Sequence, residues 1–105
     1  MTLPELKALL DSTGIPVTYY QWGEGKAPDL PYIVYYADED VGFCADDRVY
    51  SEEIGVTIEV YSNQKDLNLE AQMKDILNNN NLPYESYENY LDEEKMFLKA
   101  FEINI

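Results

Sequence analysis

The sequence predicts a small α+β domain with a mainly antiparallel sheet of four to five strands and two helices packed on one of its faces. Three observations lead there. Two segments carry apolar residues at helical spacing, several others alternate or run apolar over strand lengths, and the links between the strands are short and rich in turn residues. At 105 residues the chain has the length of a single domain, residues 1–105, and its 46% hydrophobic content is ordinary for a chain that buries a core.

The first helix is expected from about Leu3 to Thr13. Thr2 and Glu5 have capping-box spacing, and Pro4 fits a first turn, where its missing N–H is not needed. Leu3, Leu6, Leu9 and Leu10 share a face, and Gly14 supplies the left-handed residue that ends the helix. Pro16 to Trp22, rich in Val, Thr and Tyr, reads as a strand. Gly23 to Pro31 reads as a loop, and Tyr32 to Ala37 as a second strand whose unbroken apolar run implies cover on both faces.

Acidic turns at Asp38–Asp40 and at Asp46–Arg48 flank a short strand at Phe43 to Ala45. Ile54 to Tyr61 alternates most clearly, with Ile54, Val56, Ile58 and Val60 on one side and Gly55, Thr57, Glu59 and Tyr61 on the other. Asp66 caps a second helix that runs to about Asn79 and carries a core stripe of Leu69, Met73, Ile76 and Leu77. The asparagines from Asn78 to Asn81 end it. Tyr84 to Leu91 and Lys95 to Ile105 complete the set as a hairpin turning at Asp92-Glu93-Glu94. Phe97, Phe101, Ile103 and Ile105 share the core parity of the last strand.

The charge balance narrows function. With 21 acidic and 7 basic side chains the net charge is −14, which opposes specific nucleic-acid binding and attraction to anionic membranes. No apolar run is long enough to span a bilayer, and the first residues lack the pattern of a secretion signal. Histidine is absent, so the commonest general base and the commonest metal ligand are missing. The single cysteine, Cys44, excludes an intrachain disulfide and reads as a small buried hydrophobe. The acidic stretch Asp38-Glu39-Asp40-Val41-Gly42 lacks the ligand order of a calcium loop, and Ser51 and Ser62 have no visible base. The expectation is a non-enzymatic protein without cofactor or metal, folded in a cytoplasm.

Ten tyrosines are more than one sheet of this size needs as cover. Tyrosine joins a large apolar ring to a polar tip and suits interfaces. Tyr19, Tyr35, Tyr36, Tyr61, Tyr87 and Tyr90, with Tyr20 beside them, are the candidates for a contact between subunits, and the final hairpin offers a strand edge for it.

Leu30-Pro31-Tyr32-Ile33-Val34-Tyr35-Tyr36, Phe43-Cys44-Ala45-Asp46-Asp47 with Tyr50, Val56-Thr57-Ile58-Glu59-Val60-Tyr61, Lys65-Asp66, Leu69-Glu70 and Glu94-Lys95-Met96 form a pattern. It resembles that of small tail-completion proteins, also called tail terminators or head–tail joining proteins, of long-tailed phages and prophages of Gram-positive bacteria. The resemblance spans about Leu3 to Ile105; Cys44 departs from it, at a position where the pattern suggests Asn. It implies an α+β subunit that forms a homo-oligomeric ring, commonly a hexamer, at the head-proximal end of a virion tail. Such a ring caps the tail tube, docks to the head connector and is assembled in the host cytoplasm. Surplus carboxylates would then line a lumen and keep passing DNA from adhering, and Asp38, Glu39, Asp40, Asp46 and Asp47 are the candidates for that charge. The alternative is an acidic DNA-mimic inhibitor of a host nuclease or DNA-binding protein, and a metal-dependent hydrolase ranks behind both.

Overall fold

A computed structural model describes residues 1–38 and 54–105. The expected short strand at Phe43 to Ala45 lies outside them. The first helix, α1, is Leu3–Asp11. Its start follows the capping box: the Thr2 hydroxyl accepts from the Glu5 N–H at 3.1 Å, and the Thr2 N–H donates to the Glu5 carboxylate at 2.8 Å. Hydrogen bonding from the Thr2 backbone N–H first, and then from its side chain, holds the Glu5 carboxyl below its usual range. The helix ends short of Thr13 because the polar side chains there take over its last carbonyls. The Thr13 hydroxyl donates to the Leu10 carbonyl at 2.8 Å, and Gly14 follows at φ +80°.

Five strands form one sheet: β1 Val17–Tyr19, β2 Tyr32–Ala37, β3 Gly55–Ser62, β4 Tyr84–Leu91 and β5 Met96–Asn104, in the order β1-β2-β3-β5-β4. The second helix, α2, is Leu67–Asn79, and the Asp66 carboxylate caps it by accepting from the Leu69 N–H at 3.0 Å. All strand pairs are antiparallel except β1 with β2, which run parallel from Val17↔Ile33 to Tyr19↔Tyr35. The sheet is therefore mixed. Residues 20–31 provide the length, about a dozen residues, that a parallel connection needs.

β1 is shorter than the expected Pro16 to Trp22. Tyr20 adopts φ +72°, which ends the extended backbone and turns the chain out of the sheet. The final hairpin forms, but its turn is one residue longer than the expected Asp92-Glu93-Glu94, so Leu91 stands opposite Met96. Its turn includes Lys95 at φ +56°, whose N–H donates to the Leu91 carbonyl at 2.7 Å, so Lys95 belongs to the turn rather than to the strand.

Alternation assigns the core. Ile33 and Tyr35 of β2, Val56, Ile58 and Val60 of β3, and Phe101 and Ile103 of β5 are cross-strand partners of one parity and are buried. They form one buried cluster with Leu6 and Leu10 of α1 and with Leu69, Met73 and Leu77 of α2. Tyr84 of β4 joins its margin, its ring set edge-on to Phe101 at 5.4 Å. Ile76, expected in the stripe of α2, is only half-buried, while Glu70 is buried and its carboxylate meets the Lys65 ammonium at 2.9 Å.

Candidate functional site

The opposite parity of the sheet carries the chemistry. Across it lie Tyr32, Val34 and Tyr36 of β2, Thr57, Glu59 and Tyr61 of β3, Leu98 and Ala100 of β5, and Tyr87 of β4. Glu59 stands in the middle of this surface, opposite Val34 on one side and Ala100 on the other. Glu59 takes the side of β3 opposite to Ile58 and Val60, where alternation ordinarily puts a polar residue, and its neighbours explain how it is held. The Tyr61 hydroxyl donates to its Oε1 at 2.7 Å, and the Tyr36 hydroxyl donates to its Oε2 at 3.2 Å. Among the described residues no lysine or arginine pairs with it.

Burial is the first cause that raises the pKa of both hydroxyls, and the Glu59 charge and hydrogen bonds reinforce it. Tyr36 is pushed up to about 12, and Tyr61 is raised as well. Both hydroxyls therefore stay protonated through neutral pH and remain donors to the carboxylate. Tyr87 is also raised, by burial and then by the charges of Glu102, Glu59 and Asp38.

Aromatic rings extend this surface toward the loop that follows β1. Tyr32 sits 5.3 Å from Tyr61 and 5.7 Å from Trp22, the latter pair at 76° and hence edge to face. Tyr20, 65% exposed, lies 5.9 Å from Tyr36. At the other end of the sheet, Asp38 accepts a hydrogen bond from the Thr57 hydroxyl. It lines an open depression together with Glu85 and Glu102, which are direct cross-strand partners.

The six tyrosines singled out from sequence do not share one surface. Tyr36, Tyr61 and Tyr87 occupy the face that bears Glu59. Tyr19, Tyr35 and Tyr90 have the parity of the core cluster. Tyr35 is only 4% exposed and packs edge-on against Tyr19 at 5.1 Å, so it is a core side chain and offers no partner a surface. Tyr19 and Tyr90 are exposed at the sheet margins, and the Tyr19 hydroxyl accepts from the Ala37 N–H at 3.1 Å. Of the acidic candidates, Asp38 stands at the end of β2, and Glu39, Asp40, Asp46 and Asp47 lie outside the described residues.

Sequence reading passed over Glu59, Glu85, Glu102 and Trp22. For Glu59 a signal was present only as its place on the polar side of the β3 alternation. For Glu85 and Glu102 it was not, because their pairing depends on register.

Comparison with protein-family models, with curated proteins and with solved structures gives no significant match to this chain.

Among the described residues no cluster of three or more His, Cys, Asp or Glu is placed to hold a metal ion, and no helix is long and apolar enough to cross a membrane. What the face offers chemically is a carboxylate held by two tyrosine hydroxyls and framed by aromatic rings.

Proposed function

We propose that this chain is a structural subunit that works by meeting other protein chains, without catalysing a reaction. Its proposed setting is the head-proximal end of a phage tail, as a ring-forming tail-completion or head–tail joining protein. The observation that carries the reading is β4. This strand runs eight residues, ends the sheet, and pairs with β5 on one side only. Among the described residues nothing pairs with its other side. An edge strand of that length is a template for β-pairing with a neighbour. Its exposed tyrosines, Tyr87 at 47% and Tyr90 at 42%, supply ring area on both faces at the seam.

The phage setting rests on the sequence pattern described above, and the charge supports it: a subunit around a DNA channel gains from repelling phosphates. Deleting the gene from its phage or prophage tests it. The expected outcome is non-infectious lysates in which electron microscopy finds filled heads separate from tails, or tails of irregular length. Normal infectious particles after deletion overturn the reading.

The DNA-mimic reading draws on the facing pair Glu85 and Glu102 with Asp38 nearby. It ranks second because other acids are engaged with lysines, as in Lys7–Asp11 and in Lys65 with Glu70 and Glu88. Displacement of DNA from a host nuclease by the purified chain would move it to first place.

A further inference from the structure

The Glu59 face runs into an open groove of about 510 Å³ between the 20–27 segment and the start of β5, within the range of about 300–1,000 Å³ usual for ligand sites. Its wall is aromatic, with Tyr20, Trp22, Tyr32 and Tyr61. Among the described residues its charges are Glu24, Glu59 and Glu94, and none of the residues that line it is basic. We infer that this groove receives an arginine side chain presented by a partner protein, with the guanidinium against Glu59 and the aromatic rings around it.

Three features of the groove lead to that occupant. Among the described residues its charges are all of one sign, so the complementary guest is a cation. Its rings suit a cation that stacks, and a planar guanidinium does so while still donating hydrogen bonds. Glu59 is fixed before any guest arrives: each of its oxygens accepts one tyrosine hydroxyl and keeps further lone-pair capacity for a donor. The backbone adds a fourth indication. Tyr20, a bulky residue at φ +72°, holds a strained conformation with its ring 65% exposed at the groove rim. A second copy of this chain is a poor source of the guest, since it carries 7 basic against 21 acidic side chains. The inference is independent of the virion setting and of pairing along β4.

Trp22 is the only tryptophan and lines the groove, so its fluorescence reports occupancy directly. The full chain is titrated with a terminally blocked Gly-Arg-Gly tripeptide and with the same peptide carrying citrulline, which keeps the shape and removes the charge. A saturable change is expected with arginine, and roughly tenfold weaker binding with citrulline. Glu59→Gln should weaken arginine binding roughly tenfold, whereas Glu85→Gln, at the far end of the face, should change it by no more than about twofold. Circular dichroism checks each fold. Should Glu59→Gln unfold, Tyr20→Ala, which removes an exposed ring, must still weaken binding severalfold. The inference is overturned by equal response to both peptides, by equal losses in Glu59→Gln and Glu85→Gln, or by no response up to about 10 mM peptide. It is likewise overturned if the fluorescence changes with protein concentration alone and Arg48→Ala abolishes that change, since the guest would then be a sister chain.

Discussion

Glu59 and its two tyrosines set the chemistry at the scale of single residues. A carboxylate on a half-buried strand is costly to desolvate, and the Tyr36 and Tyr61 hydroxyls offset part of that cost by donating to it. The tyrosine pKa values follow. In the unfolded chain both phenols ionise near pH 10, while in the folded chain Tyr36 is held up to about 12 and Tyr61 is raised too. The fold favours the protonated phenol, so the stabilisation is complete below about pH 10 and is lost as pH rises from there through the folded value. Melting temperature measured from pH 8 to 12 should fall above about pH 10, and Tyr36→Phe with Tyr61→Phe should flatten that fall. A wild-type profile as flat as that of the double variant would contradict the role given to these hydroxyls. Glu59 was legible in the sequence only as a member of the polar side of the β3 alternation. Its tyrosine partners were legible only as a surplus, because which hydroxyl reaches which carboxylate depends on cross-strand register.

Capping and alternation do most of the work at the scale of elements. Thr2 with Glu5 and Asp66 with Leu69 were readable from spacing alone, and both caps form with the expected donors and acceptors. Thr2→Ala and Asp66→Ala should each cost about 1 kcal/mol, measured by urea unfolding at neutral pH. A loss near zero at either site would mean that the helix end is fixed by tertiary packing instead. The alternation of β3 and β5 also gave the core side correctly, from Val56 to Val60 and at Phe101 and Ile103. What alternation does not contain is strand order. Short links suggested neighbours in sequence pairing as antiparallel neighbours, yet β5 inserts between β3 and β4, and β1 lies parallel to β2. The same gap explains Tyr35. Its apolar surroundings left its side of the sheet open, and pairing with Ile58 places it with the core.

The charge and the open edge act together on the whole molecule. A net charge of −14 makes sister chains repel at low salt, while β4 and its tyrosines are the proposed attractive contact. Added salt should therefore strengthen self-association, whereas it should weaken the capture of an arginine side chain by Glu59. The opposite signs separate the two surfaces. Composition alone made the acidity plain, but the placement of the acids emerged from the sheet, which brings Glu85 and Glu102 face to face and sets Asp38 beside them.

Sedimentation velocity of the purified chain across protein concentration, at about 0.05 M and about 0.5 M salt, tests assembly through the β4 edge most directly. The expected result is a closed oligomer of one size that grows in with concentration and salt, and that Tyr87→Lys, on that edge, returns to monomer while leaving circular dichroism unchanged. A wild-type chain that stays monomeric at both salts up to about 1 mM, or an oligomer indifferent to Tyr87→Lys, would contradict it.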